Sequence, residues 1–251
     1  MPTHTVAICA GTVSRVLLVA VLSLTAMHVA VMVAKFGFGH DHLLGMTATF
    51  NLNVESNVPT WYSSAAFLVT AVGLGLVAAL KRQQRDPFAW HWTVLAVMFV
   101  YLSLDEVSRL HEHWGVVLEQ PLGFLRTART AGGMFRNLWV IPAGLLAMVV
   151  GLIYLRFLRH LPGETRRVFV ISGMLFIAGA VGMEMIGARL SALGLRAGAG
   201  FAVLVTIEEL LEMGSIVLFL HGVLRYVETT IGAVELRFGK IAAQAGTRPA
   251  P

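Results

Sequence analysis

The sequence predicts an all-α fold, a polytopic transmembrane helical bundle with about six spans. Hydrophobic residues make up 57% of the 251 residues and charged residues only 13%, whereas soluble globular domains carry roughly 25% charge. Apolar runs of about 20 residues recur along the chain, and that length crosses a hydrocarbon core roughly 30 Å thick. The runs are continuous and do not alternate, so they favour helices over a membrane β-barrel.

Short polar segments separate the six predicted spans. Arg15 precedes the first apolar run, but the run is too long for a signal peptide and no A-x-A site follows, so we expect it to be retained. Residues 1–226 are expected to form one transmembrane domain, and residues 227–251 a flexible cytoplasmic tail. The predicted spans are 15–36, 58–80, 90–113, 135–158, 168–190 and 201–225.

The distribution of Lys and Arg predicts the orientation. If both termini are cytoplasmic, the inner segments hold 12 of the 19 Lys and Arg residues and the outer segments hold seven. An excess of positive charge on the inner side is the usual bias of membrane proteins. The sequence therefore predicts a topology with the N- and C-termini inside.

The composition also excludes several kinds of site. The single cysteine, Cys9, excludes an intramolecular disulfide and any CxxC metal or redox motif. No Walker-type or GxGxxG loop occurs, so no nucleotide site is predicted. The net charge of +5 lies mostly in loops, where it reports orientation, and no nucleic-acid partner is predicted.

Carboxylates lie inside three predicted spans, near their outer ends. Asp105, Glu184 and Glu208 are six to eight residues from those ends, which places them roughly 9–12 Å inside the boundary. His28 has a similar depth on the first span. Ionisable groups within a bilayer cost several kcal/mol unless they are paired, so they usually face the bundle interior and mark a function. We therefore predict a buried acidic site that opens toward the outer face.

Helical spacing supports a shared site. Asp105, Arg109 and Glu112 are expected on one helix face, and Glu208 and Glu212 on another. Seven carboxylates face three arginines, Arg109, Arg136 and Arg189, which leaves an excess that needs protons or metal. Oxygen-rich sites suit Mg²⁺, Ca²⁺ or Mn²⁺, and one or two histidines would admit Zn²⁺ or iron. The predicted divalent-metal ligands are Asp105, Glu106, His111, Glu112, Glu184, Glu208, Glu209 and Glu212.

Each of these residues also has a structural interpretation. The acids could neutralise nearby arginines, as in an i,i+4 pair of Asp105 with Arg109. A lone histidine such as His28 is more often a packed core residue than a ligand. Asn57 suits a helix start as well as a ligand role. The further site candidates are His28, Glu55, Asn57, Arg109 and Arg136.

Three segments together resemble an uncharacterised family of bacterial polytopic inner-membrane proteins. They are ESNVPTWYSS at 55–64, LSLDEVSRLHE at 102–112 and GMEMIG at 182–187. The resemblance covers most of the chain and implies a multi-pass protein of the bacterial inner membrane. It implies no established activity.

The leading functional hypothesis is a metal-dependent intramembrane enzyme. It would act from the outer side on a lipidic or other membrane-delivered substrate, with the cation activating water or polarising an oxygen. Arg109 would orient a carboxylate or an anionic headgroup. Two alternatives stay open: a proton- or cation-coupled transporter, and a non-catalytic subunit of a membrane complex. The predicted partners are the lipid bilayer, a lipidic small molecule and other membrane subunits.

Overall fold

A computed structural model describes residues 9–119 and 133–232, and every regular element in these ranges is helical. The remaining residues, including 233–251 of the expected tail, lie outside the described part. The principal helices are α1 (Ala10–Phe38), α2 (Met46–Phe50), α3 (Val58–Gln83), α4 (Ala89–Ser108), α5 (Leu110–Glu119), α6 (Val140–His160), α7 (Gly163–Ile177), α8 (Glu184–Ala192) and α9 (Ala199–Tyr226). Short 3₁₀ and π segments join some of them at Leu43–Gly45 and Ala178–Met183, and a π segment follows α9 at Val227–Ile231.

Four helices in the described ranges are long and apolar enough to cross a membrane. They are α1, α3, α6 and the continuous helix Gly163–Ala192, which comprises α7, the π segment and α8. The chain is therefore a helical membrane protein. Helices α4 and α9 correspond to the third and sixth predicted spans and have 20 and 28 residues. They are not among these four helices, and they carry most of the carboxylates that lie within the predicted spans.

The long helices run alternately between two ends of the bundle. We call the end where α3 and α9 begin, and where α4 and α8 finish, the site end. At the opposite end the Glu228 carboxylate accepts a hydrogen bond from the Ala10 N–H, which joins the start of α1 to the end of α9. Residues 227–231 thus extend the last helix beyond the expected boundary at 226.

Helix α9 packs against α1, α3 and α7 and forms the centre of the bundle. Glycines permit its close approach to the α7–α8 helix, because Gly222 lies against Val168 and Phe169, and Gly179 lies against Glu208 and Glu212. Small residues commonly allow such contacts between membrane helices.

A reciprocal serine pair fixes α4 against α3. The Ser64 hydroxyl donates to the Ser103 carbonyl at 2.9 Å, and the Ser103 hydroxyl donates to the Ser64 carbonyl at 2.8 Å. Interhelical hydrogen bonds of this kind stabilise membrane helix pairs. The pair fixes the position of α4 along the bundle axis relative to α3, and with it the position of the residues that follow Ser103.

Aromatic side chains fill the bundle below the site end. Phe67 contacts Phe99 and Phe176 with ring centroids 5.9 and 5.8 Å apart, and Phe99 stacks on Phe219 at 4.8 Å. These four rings, from α3, α4, α7 and α9, are called the aromatic floor. Further toward the opposite end, Trp92 packs among Phe157, Phe169 and Tyr226.

The third predicted span ends earlier than expected. Arg109 has φ 53° and ψ 40°, so α4 stops at Ser108 and α5 starts at Leu110. The expectation that Asp105, Arg109 and Glu112 share one continuous helical face is therefore wrong. The break turns the Asp105 carboxylate toward the first turn of α5, where it accepts a hydrogen bond from the His111 N–H at 2.7 Å.

Candidate functional site

Glutamates from three helices meet at the site end. The side chains of Glu208 of α9 and Glu184, the first residue of α8, are electrostatic neighbours. Carboxylates held close together away from water repel each other unless a proton or a cation lies between them.

Three further glutamates surround this pair. Glu209 interacts electrostatically with Glu106 and Glu208, and Glu212 interacts with Glu106, Glu184, Glu208 and Glu209. All five are partly buried. We call the five residues Glu106, Glu184, Glu208, Glu209 and Glu212 the acidic cluster.

A π-helical turn borders the acidic cluster. Residues Ala178–Met183 form this turn immediately before Glu184, and π segments within α-helices often occur at functional sites. Gly179 in the turn is buried against α9, and a Cβ added there would lie 2.9 Å from Cγ of Glu212. The turn thus sets how closely Glu184 approaches the α9 glutamates.

Asp105 and His111 form a hydrogen-bonded pair at the rim of the cluster. The His111 Nδ1 lies 2.8 Å from Asp105 Oδ2, and the indole of Trp139 lies against the imidazole with ring centroids 4.4 Å apart. Because Nδ1 is engaged by Asp105, Nε2 is the nitrogen left for another partner. His111 also lies within electrostatic reach of Glu106.

Arg109 is held by two acids outside the cluster. Its Nε lies 2.6 Å from Oε2 of Glu55, and its guanidinium also pairs with Glu112. The suggested i,i+4 pair of Asp105 with Arg109 is replaced by these contacts, because Arg109 leaves the helix. Glu55, from the segment before α3, thereby lies above Glu106 and Glu209, with which it interacts electrostatically.

The two rim groups outside the spans have shifted pKa values. Burial raises the pKa of Glu55 above its ordinary value, and nearby Glu112 adds to this, whereas Arg109 and His111 act in the opposite direction. Burial alone would lower the pKa of His111, but the hydrogen bond and charge of Asp105, with Glu112 and Glu55, outweigh it and raise the pKa. The His111 imidazolium is thus favoured at the rim.

Two further sequence candidates, His28 and Asn57, take no part in the cluster or its rim. His28 is fully buried in α1, and its Nδ1 accepts a hydrogen bond from the Leu52 N–H at 3.0 Å. Asn57 caps α3, since its Oδ1 accepts from the Thr60 N–H, and its amide donates to the carbonyls of Asn51 and Val54. Both residues anchor the segment that carries Glu55.

One contact of the cluster was not anticipated from the sequence. The side-chain amide of Asn137, in the segment before α6, donates to Oε1 of Glu184. The neighbouring candidate Arg136 is exposed. A lone Asn before a predicted span gives no signal of such a contact, because the partner depends on the path of the preceding segment.

The described side chains do not assemble a metal site. Within residues 9–119 and 133–232, no three His, Cys, Asp or Glu residues are grouped so that they could hold one metal ion. The cluster is a set of neighbouring carboxyl groups with one oriented histidine at its rim.

Comparison with known proteins identifies the family. Residues 15–227 match the model of a domain of unknown function, DUF8692. The chain belongs to this family. The match includes all five residues of the acidic cluster, together with Asp105 and His111. No curated protein and no solved structure matches the chain.

Proposed function

We propose that this DUF8692 protein is a six-span protein of the bacterial inner membrane with a cation-dependent enzymatic site. The acidic cluster would bind a divalent cation from the periplasmic side and act on a substrate delivered by the membrane. Both termini would be cytoplasmic.

The six-span topology rests on helix length and direction. Helices α4 and α9 contain 20 and 28 residues, or roughly 30 and 42 Å at 1.5 Å per residue, enough to cross a hydrocarbon core of roughly 30 Å. Their glutamates face the bundle, where polar groups of membrane helices normally lie. Counting them as spans makes the helices alternate in direction and keeps the Lys and Arg excess inside.

Cysteine labelling tests this topology in a Cys9→Ser background. A cysteine at Ser56, at the site end, should react with a membrane-impermeant thiol reagent in intact cells. A cysteine at Gln84, between α3 and α4, should react only after permeabilisation. Both residues are exposed, so accessibility of the side chain is matched. Reaction at position 84 in intact cells would reverse the orientation and place the cluster on the cytoplasmic side.

The observation that carries the enzymatic proposal is that the cluster is closed on one side by the aromatic floor and faces the rim on the other. The aromatic floor lies about two turns below it on three helices, since Phe99, Phe176 and Phe219 are seven or eight residues from Glu106, Glu184 and Glu212. The interdigitated rings themselves present no polar group to a hydrated ion path. A site closed below and reached from the rim suits chemistry at one face better than conduction.

The rim supplies the groups that such chemistry needs. A histidine oriented by a carboxylate through one nitrogen commonly binds metal or accepts a proton through the other. His111 would serve in this role beside Glu106 once its imidazolium has lost a proton. Because no three ligands are grouped within the described part of the chain, the cation would have to draw Glu184, Glu208 and a third carboxylate together. Mg²⁺, Ca²⁺, Mn²⁺, Zn²⁺ and Fe²⁺ fit this ligand set.

Metal analysis of purified protein tests the proposal. Wild type should bind a stoichiometric divalent cation and release protons on binding, and Glu184→Gln with Glu212→Gln should abolish both. Glu164→Gln is the control, because Glu164 is 74% exposed at the opposite end. Absence of bound metal in wild type across all five cations, or equal binding by the double variant, would refute the proposal.

A proton-coupled carrier is the second candidate, favoured by the neighbouring carboxyl groups of Glu184 and Glu208. Neighbouring carboxyl groups within membrane helices are a feature of proton relays. This function predicts proton flux in liposomes that is independent of divalent cations and lost in Glu208→Gln. The enzymatic proposal predicts no such flux, because the aromatic floor stays closed.

A further inference from the structure

We propose that the bilayer surface at the site end is stepped around this protein, so that lipid headgroups reach the height of the acidic cluster on one side only. The inference rests on the six-span topology of the proposed function and identifies the side on which its membrane-delivered substrate arrives. We call α3, α4 and α6 the short side of the bundle. We call α1, α9 and the continuous helix Gly163–Ala192 the long side.

The helices of the short side end soon after the aromatic floor. Helix α3 begins at Val58, nine residues above Phe67 in the floor, and α4 ends at Ser108, nine residues above Phe99. Both helices therefore stop about 13 Å above the floor, at 1.5 Å per residue. Helix α6 begins at a similar height, because Trp139, which precedes it, lies against the first turn of α5.

The helices of the long side continue further in the same direction. The Gly163–Ala192 helix runs 16 residues from Phe176 in the floor to its end at Ala192. Helix α9 begins at Ala199, which is 20 residues above Phe219 in the floor. These lengths correspond to about 24 and 30 Å above the floor.

Helix α1 also belongs to the long side. The Ser14 hydroxyl lies 2.9 Å from Nδ1 of His221, two residues below Phe219, and α1 continues for 24 residues from Ser14 to Phe38. It therefore ends about 33 Å above the floor. The long side extends about 10–20 Å beyond the ends of the short side.

The extensions of the long side are apolar up to their last turns. We define them as residues 29–38, 184–192 and 199–207. Apart from Glu184 of the acidic cluster, their charged residues are Lys35 and Arg189, and each lies in the last turn of its helix. The extensions contain no Trp or Tyr. Their exposed aliphatic side chains are Val29, Val33, Ile186, Val203 and Ile207.

The ends of the short side carry charged groups and tryptophans at a lower height. The side chains of Arg109, Glu55 and Glu112 are 49, 37 and 45% exposed. Trp61, in the first turn of α3, and Trp114, on α5, are 71 and 50% exposed. Tryptophan favours the headgroup level of a bilayer, and charged side chains are costly in hydrocarbon. Both features indicate a membrane boundary at the ends of the short side.

A flat bilayer surface cannot suit both sides. At the height of the short side, it would leave the aliphatic side chains of the long-side extensions in water. At the height of the long side, it would place Arg109, its two acids and the exposed tryptophans about 10 Å or more inside hydrocarbon. A bilayer that thins along the short side avoids both costs, because lipids adjust to short hydrophobic segments at a small cost per ångström.

The step brings headgroups to the height of the acidic cluster. Glu106 lies two residues, or about 3 Å, below the end of α4. On the long side, Glu184 lies eight residues, or about 12 Å, below Ala192. A substrate that stays in the headgroup layer of the short side therefore meets the rim at Arg109 and His111 without entering hydrocarbon.

Cysteine reactivity in phosphatidylcholine nanodiscs tests the step. Nanodiscs expose both faces of the bilayer, so the result depends neither on orientation nor on bound metal. Ser108→Cys and Val203→Cys are made separately in the full-length Cys9→Ser protein. Both positions are exposed, but Val203 is 16 residues above the floor and Ser108 only nine, so Val203 lies about 10 Å further out.

A charged, water-soluble maleimide should modify Ser108→Cys at least about tenfold faster than Val203→Cys, because hydrocarbon excludes water and the reagent. After unfolding in SDS the two rates should become equal, which controls for intrinsic reactivity. If either variant does not fold, Val58→Cys and Ile207→Cys replace the pair, since both positions are exposed on the corresponding sides.

Two results would overturn the inference. Equal or faster modification of Val203→Cys would show that water reaches the long-side extensions, as expected if another protein covers them in the cell. Slow modification of both variants would place a flat bilayer surface at the ends of the long side. The metal assay separates this inference from the proposed enzyme: absence of metal leaves the step intact, whereas a flat surface leaves the metal site intact.

Discussion

Replacing Gly179 by alanine tests the contact between the π turn and α9. The added methyl would lie 2.9 Å from Cγ of Glu212, 3.1 Å from Cβ of Leu211 and 3.1 Å from the carbonyl oxygen of Glu208. The first neighbour is a flexible side chain, but the carbonyl belongs to a helix backbone and cannot turn away. We expect the π turn and α9 to separate by a few tenths of an ångström.

Two opposing effects set the size of the stability change caused by Gly179→Ala. Overpacking a tight interface costs about 1–3 kcal/mol, and replacing a helical glycine by alanine returns about 0.5–1 kcal/mol through helix propensity. The net destabilisation is about 0–2.5 kcal/mol. At about 2–4 °C per kcal/mol for a chain of this length, Tm should fall by up to about 10 °C.

Gly173→Ala is the matched control on the same helix. A Cβ at Gly173 meets no atom within 4 Å, so only the propensity gain applies, and Tm should stay constant or rise by up to about 4 °C. Both variants are melted in the same detergent with a chelator present. A rise in Tm for Gly179→Ala as large as that for Gly173→Ala would show that the π turn does not pack on α9 as described.

Three further predictions concern the surroundings of the site. Asn57→Ala should destabilise the protein by about 1–2 kcal/mol through loss of the α3 cap, whereas Asn53→Ala, at an exposed position, should leave the thermal melt unchanged. His28→Ala should cost about 2–4 kcal/mol in the same melt, because it opens a cavity and leaves the buried Leu52 N–H without its acceptor; a loss below about 0.5 kcal/mol would contradict the contact. Burial alone would raise the pKa of Asp86, but a backbone N–H and neighbouring positive charges lower it. Ionised Asp86 therefore stabilises the folded state at pH values above an ordinary pKa of about 3.9, and this stabilisation is lost as pH falls through the lower pKa of the folded state. Asp86→Asn should lower Tm at neutral pH and converge with wild type in acid, and a constant difference across the pH range would refute this.

The helical class could be predicted because continuous apolar runs leave the backbone no other way to satisfy its hydrogen bonds in a bilayer. Helical rise per residue is fixed, so the sequence also predicts a common depth for Asp105, Glu184 and Glu208. In the structure Glu184 and Glu208 are electrostatic neighbours of Glu212, whereas Asp105 pairs with His111 at the rim.

The end of α4 could not be predicted, because the sequence around Arg109 contains no Gly or Pro to indicate a break. A non-glycine residue adopts φ 53° here where tertiary contacts stabilise it: Glu55 and Glu112 hold the guanidinium, and Asp105 caps the next helix. Glu55 is more than fifty residues away in sequence. Local patterns therefore favoured one continuous helix where long-range ion pairs produce two.

The π turn had no sequence signal for a similar reason. AGAVGM is compatible with an ordinary α-helix, and the i→i+5 pattern depends on how Gly179 packs against α9. The partner of Glu184 was equally hidden, because Arg136 and Asn137 are adjacent and only the path of the chain before α6 decides which one reaches the carboxylate.

The energetics of the acidic cluster argue that it is kept for function. Each buried carboxyl costs free energy that an apolar residue of similar size would not. Surface ion pairs cannot account for the cluster, because the electrostatic neighbours of Glu212 are other carboxyl groups and the paired Arg109 lies outside it. The nearby packing offsets this cost: the serine pair of α3 and α4, the glycine contacts of α9 and the aromatic floor all lie within a few turns of the cluster. A bundle stabilised so tightly directly beneath its least favourable residues keeps the backbones of α4, α8 and α9 in place, as a preorganised site requires, so that only the glutamate side chains would have to move when a ligand binds.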